Sequence, residues 1–294
     1  MSEAPRYYVP HQSVWPIVGS VALFLTAFGA ATLIHQHTGK VAASGHSGLL
    51  IFYAGLAILA FMMFGWFGTV IRESLRGLVS HQLDRSFRLS MLWFITSEVM
   101  FFAAFFGALF YARMVSVPWL AGAGDKLETH LLLWPNFADT WPLFMTPGGT
   151  ATEAMKAWGL PFINTVILVS SSGTITLAHW ALRRNRRAHL KLWLGVTIAL
   201  GVTFLTLQAI EYVHAHRELG LGLSSGIYGS TFYMLTGFHG AHVTLGAIML
   251  TVMMLRILNG HFAPDNHFAF EATSWYWHFV DVVWVCLFTF VYWF

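Results

Sequence analysis

Glu98 is the residue whose setting most demands a chemical explanation. It follows Arg88 by about ten positions, hence lies roughly 15 Å further along a helix. Its neighbours one turn away, Phe94, Ile95, Phe101 and Phe102, are all apolar. A lone carboxylate in such a setting costs several kcal/mol, so it must acquire a proton or a partner. Two readings follow: an acid that exchanges protons or contacts a partner, and a neutral acid hydrogen-bonded between helices. Intramembrane acids tend to mark function, which favours the first.

Three further pairs carry helical spacing. His239 and His242 stand at i, i+3 within GFHGAH. Two imidazoles so placed could bind a metal or haem, but no third donor stands nearby, so hydrogen-bonded packing beside the glycines is preferred. Glu211 and His214 form Glu-x-x-His, a spacing used by di-iron carboxylate bundles. Those bundles need two such pairs and two more glutamates, so a polar network at the membrane edge is the better reading here. His278 and Asp281, inside WYWHFVDVVW, could relay protons; mutual satisfaction within a bundle has the stronger claim, since each is costly alone in lipid. No phosphate-cradling glycine loop, nucleophile triad or zinc spacing is found, and no metal ligand is assigned.

The elements that must position these residues follow from composition. Of 294 residues, 56% are apolar and 10% charged, against about 25% charged in a soluble domain. That deficit points to membrane. The small net charge of +3 gives no reason to expect nucleic acid. Cys286 is the single cysteine, so intrachain disulfides and Cys-based metal sites are excluded. Nor do the opening residues have the form of a signal peptide.

Helices are expected at 15–35, 48–71, 89–114, 160–182, 190–214, 227–258 and 270–293, most of them meeting the requirement of about 20 apolar residues per span. Eleven Lys and Arg residues fall on one side (Arg6, the segments 72–88 and 183–191, and Arg256). Five fall on the other: Lys40, Arg113, Lys126, Lys156 and Arg217. The positive-inside rule then places the N-terminus in the cytoplasm and Phe294 outside. A connection over 114–159 lies outside and is expected to form an ordered cap. Ser170, Ser171, Ser172 and Gly173 in the fourth span, with Gly237, Gly240 and Gly246 in the sixth, are expected where helices approach closely. Arg256 with His261, and Arg72 with Arg76, close the inner ends of the sixth and second spans, with Trp66 one to two turns away. Cations and an indole at that depth suit a lipid phosphate and glycerol; for any single Arg, ordinary snorkelling is the stronger reading.

FITSEVMFFAAFFGALFYAR, TFLTLQAIEYVHA, GIYGSTFYMLTGFHGAHVTLGAIML and NHFAFEATSWYWHFVDVVWVCLFTFVYWF, with VPHQSVWPIVGS and VIRES nearer the start, resemble subunit III of haem–copper cytochrome c oxidase over nearly the whole chain. The resemblance implies an all-α membrane fold of seven transmembrane helices. Residues 1–75 would carry the first two and residues 76–294 the other five, with a V-shaped lipid-binding cleft between the groups. It implies no haem or copper in this chain, both being held by subunits I and II, and phospholipids as its bound partners. Contact with subunit I, proximity to subunit II, turnover of cytochrome c by the complex and support of proton uptake into subunit I are implied as well. By motif, Glu98 is the buried acid, and Trp66, Arg72, Glu73 and Arg256, then His81 and His261, are the headgroup contacts. Gly68 and Thr69 stand where many relatives have a charged residue. The length of 114–159 favours a bacterial aa3-type enzyme in the plasma membrane. A haem–copper quinol oxidase subunit is the nearest alternative, although such subunits commonly lack the first two spans. An independent proton-coupled transporter is opposed by the absence of internal pseudo-symmetry.

Overall fold

The structure is a computed structural model that describes residues 12–37, 47–78, 80–142 and 152–293, without the side chains of His37 and His81. Arg6 and Lys40, which entered the charge count, and part of the 114–159 connection lie outside that set. Among the described residues no strand occurs, and seven helices are long and apolar enough to span a membrane. Lipid cannot satisfy backbone N–H and C=O groups, so an apolar run of this length closes its hydrogen bonds internally as helix.

The helices are α1 (Trp15–His37), α2 (Ser47–Leu75), α3 (His81–Tyr111), α4 (Val117–Leu120), α5 (Leu127–Leu133), α6 (Leu160–Arg183), α7 (Arg187–Arg217), α8 (Ile227–Leu258) and α9 (Phe268–Leu287). π-Helical turns follow α3 at Ala112–Ser116 and α9 at Phe288–Trp293. α3 begins eight residues before the apolar stretch that revealed it. Ser80 explains the early start: its Oγ accepts from Leu83 N (3.3 Å), its carbonyl from Asp84 N (2.9 Å), and Asp84 adds negative charge to the first turn.

The chain divides into two compact units, Met1–Phe87 and Arg88–Phe294, the division falling inside α3. In the first, α1 packs along α2 through glycines. A Cβ on Gly55 would lie 2.5 Å from the backbone nitrogen of Thr26, and one on Gly29 would run into the backbone of Phe52. Outward faces carry bare apolar side chains such as Phe24 and Phe64, as lipid contact requires.

In the second unit, α6, α7, α8 and α9 form a ring in which each helix packs on the next and α9 returns to α6. α3 touches this ring through long side chains, with Phe94 stacked on Tyr276 and Phe102 tilted against Phe279 at 6.1 Å. Trp277, fully buried, fills the middle. Its Nε1 donates to Ser171 Oγ (2.9 Å), and its ring edge faces Gly201 and Gly246, where an added Cβ would come within 2.7 and 2.8 Å of it. Trp284 is tied to α6 in the same way, through Thr165 Oγ1 (2.9 Å).

Two expectations about small residues need correction. An added Cβ at Gly173 or Gly240 meets nothing within 4 Å, and at Gly237 only the Tyr212 hydroxyl at 3.7 Å. Those glycines are not close approaches. Gly246 is one, and so is Gly201, which was not singled out. Space is demanded by the indole of Trp277 rather than by a neighbouring backbone. The described parts of 114–159 do pack on the bundle. Trp141 meets Tyr228 edge-on at 5.8 Å, Met155 N donates to the Tyr228 hydroxyl (3.3 Å), and Glu153 N donates to Leu219 O (3.2 Å).

Candidate functional site

Glu98 lies seventeen residues into α3, and His242 lies sixteen residues before the end of α8. With the two helices antiparallel, those positions share one depth. Glu98 Oε2 stands 2.9 Å from His242 Nε2, and both side chains are mostly covered, at 22% and 15% exposure. His242 Nδ1 also lies 2.6 Å from Phe238 O. A carbonyl can only accept, so Nδ1 carries hydrogen. Nε2 is then the ring atom that faces the Glu98 carboxyl group, so the two side chains are each other's polar partner across α3 and α8. Aromatic rings close around it: Phe101, Phe102, Tyr276 and Phe279 all lie within 6.4 Å of the imidazole centre. Glu98 is therefore a partnered acid, with a partner 144 residues away.

His239 and His242 do not act together. His239 is fully buried; its Nε2 donates to Val280 O (3.1 Å), and its ring lies 5.0 Å from that of Trp284. The i, i+3 spacing leaves one imidazole inside the α6–α9 ring and turns the other toward α3.

Glu211 and His214 separate likewise. Glu211 is buried and its Oε1 accepts from the Tyr292 hydroxyl (2.6 Å), whereas His214 is half exposed and pairs with Glu218 (3.0 Å) just past the end of α7. His278 and Asp281 come no closer than 3.9 Å, and Ser172 Oγ at 2.7 Å is the stronger partner of His278 Nδ1. The expected mutual satisfaction gives way because Ser172 lies directly across on α6.

In the first unit, Trp66 and Arg72 are exposed and Glu73 half-buried near the end of α2. Arg72 Nε donates to Gly68 O (3.2 Å) and its terminal nitrogen to Thr69 Oγ1 (3.3 Å), while Thr69 Oγ1 also accepts from Trp15 Nε1 (3.3 Å). The two positions without charge thus orient the neighbouring arginine. His81 opens α3, but its side chain lies outside the described set. In the second unit, Arg256 is buried with its guanidinium 4.4 Å over the Phe262 ring. His261 N donates to Arg256 O (3.0 Å) just past the end of α8, where Gly260 adopts φ +72°.

One cluster was missed by sequence reasoning. His179, His267 and Glu271 each place a ligand atom within 4.8 Å of the others. His267 and Glu271 are one turn apart, a visible signal, but the third donor is 88 residues earlier, and only the α6–α9 packing brings it in.

The family described as "Cytochrome c oxidase subunit III" matches residues 5–294. The chain is 36% identical to cytochrome c oxidase subunit 3 of Danio rerio over 292 residues, covering 99% of this chain and 98% of that one. It is 36% identical to the Pylaiella littoralis protein of the same name, covering 100% and 95%, and 37% identical to that of Pongo abelii, covering 99% and 98%. With seven spans in place and a match this long, the chain belongs to the cytochrome c oxidase subunit III family, a non-catalytic part of that complex.

Proposed function

We infer that this chain is the non-redox, lipid-binding subunit of a proton-pumping cytochrome c oxidase in a bacterial plasma membrane. It packs chiefly on subunit I, near subunit II, stabilises subunit I and supports proton uptake into it, with cytochrome c as the donor to the complex. The family match over residues 5–294 carries this reading. Haem and copper belong to the partner subunits. Arg72 near the end of α2, and Arg183 and Arg256 at the ends of α6 and α8, face the cytoplasm, as the Lys and Arg asymmetry supports.

Phospholipid headgroups sit at two places, each within one unit. Trp66, Arg72 and Glu73, with His81 beside them in sequence, form one at the end of α2; the exposed indole and the oriented guanidinium support it. Arg256 and His261 form the other, at the end of α8. The Glu98–His242 pair is a polar link that ties α3 to α8 inside the bundle.

Affinity purification through this chain tests the whole reading. Haem absorbance should accompany it, and the complex should oxidise cytochrome c. A complex that oxidises quinol and not cytochrome c would transfer the assignment to the quinol branch. A colourless chain that retains proton-coupled transport would replace it altogether.

A further inference from the structure

The end of the second unit that carries Arg183 and Arg187 holds three metal-ligating side chains that the oxidase reading leaves unused. His179 stands one turn before the end of α6, His267 immediately precedes α9, and Glu271 follows one turn into it. One ligand atom from each lies within 4.8 Å of the other two. The imidazole centres are 5.5 Å apart with their planes at 62°, an edge-to-face approach. His179 Nε2 and His267 Nδ1 are both shielded from solvent, and neither makes a hydrogen bond to the protein.

The framework around these donors is fixed. His267 O accepts from Phe270 N (3.0 Å) and Glu271 N (3.1 Å), which holds His267 and Glu271 on one face of the first turn of α9. The His179 ring packs 5.9 Å from Phe270. Glu271 Oε2 is gripped by Arg88 at 2.7 Å, and that guanidinium lies 5.1 Å over Phe268. An outer partner of this kind orients a ligating carboxylate, whose two oxygens can serve a guanidinium and a metal ion together.

We propose that His179, His267 and Glu271 bind a divalent first-row transition ion, zinc foremost. Two neutral imidazoles and one carboxylate are a recognised zinc donor set, with bonds of roughly 2.0–2.2 Å and a fourth position left open. A tetrahedral ion with such bonds sets ligand atoms roughly 3.4 Å apart, so the three side chains reach it by small torsional shifts from their present spacing. Aqueous magnesium or calcium, which prefer oxygen, are poor matches for two imidazoles. The ion would clamp the end of α6 to the start of α9. Arg88 and Arg183 repel it and keep its affinity moderate. This site is independent of the lipid reading, and its test leaves that reading untouched.

The full-length chain in detergent micelles is titrated with zinc by calorimetry and with cobalt(II) by visible absorption, with circular dichroism to report folding. One zinc equivalent should bind, and cobalt should give the intense d–d bands of a four- or five-coordinate ion. Zinc should raise the melting temperature of the native chain. His179→Ala and His267→Ala should each weaken binding at least about tenfold, and the double variant should abolish both the cobalt bands and the thermal shift. Undiminished affinity in the double variant overturns the proposal. Should the variants not fold, the native chain decides alone: weak octahedral cobalt bands, or no stoichiometric binding, overturn it.

Discussion

In the first unit α1 and α2 meet where Gly29 and Gly55 let two backbones touch, while in the second unit a ring of helices closes on Trp277, Trp284 and the polar side chains that hold them. Lipid tails are as apolar as the side chains they face, so neither unit draws strength from excluding water inside the membrane. Close packing is one remaining source of association and interhelical hydrogen bonding the other. The α1–α2 pair relies mainly on the first. The larger unit combines both, and its polar links cross 144 residues for Glu98–His242, 106 for Ser171–Trp277 and 119 for Thr165–Trp284. A pair of helices can be assembled from local sequence, whereas the ring exists only once distant segments have met.

Substitutions can break or sharpen this contrast. Trp277→Ala should have the largest effect, about 3–5 kcal/mol, because it removes a fully buried indole between two glycines. Thermal unfolding in detergent should show it, and limited proteolysis should find the loss confined to the second unit. A uniform loss over both units would erase the contrast. Gly55→Ala should follow, at about 1–3 kcal/mol, since even a methyl group meets the Thr26 backbone. Proteolysis should then open α1 and α2 first. Gly173→Ala is the control; with open space around it, it should leave stability within about 0.5 kcal/mol.

His242→Leu leaves Glu98 without its partner and should cost about 1–3 kcal/mol. Glu98→Gln, which can still hydrogen-bond to the imidazole, should cost clearly less. Equal losses in the two variants would show that the link is not one of hydrogen bonding. The smallest stability effect is expected for Arg72→Ala, an exposed side chain whose loss should fall within about 0.5 kcal/mol. Phosphorus analysis should nonetheless find less phospholipid with the purified oxidase, as with Arg256→Ala, and the active lifetime should shorten while initial electron transfer stays near normal. Unchanged lipid in both variants would remove the headgroup assignment.

The seven spans were legible because length and apolarity report directly on bilayer thickness. Their ends were less so: hydropathy marks where lipid stops, whereas α3 continues to a cap at Ser80 and α7 begins at Arg187 among basic residues. Glu98 stood out as a polar residue on an apolar face, but nothing local points to His242; matching depth along antiparallel spans is the signal that could have found it. Spacing alone misled at His278–Asp281, where Ser172 on α6 offers better geometry, and at Glu211–His214 it said nothing of Tyr292, the partner that holds Glu211. Small residues misled too, because Gly201 and Gly246 answer to an indole that arrives from α9.

The widened turn at Phe288–Trp293 has a consequence for length as opposed to chemistry. Such a turn accommodates one residue more than an α-helical path does, so side chains along it fall progressively out of the register of a regular helix. Tyr292, within that widened turn, reaches Glu211 across 2.6 Å. Deleting a single residue within the turn would swing the phenol off its acceptor while every other side chain kept its identity. The last strokes of this polypeptide are thus counted as well as spelled.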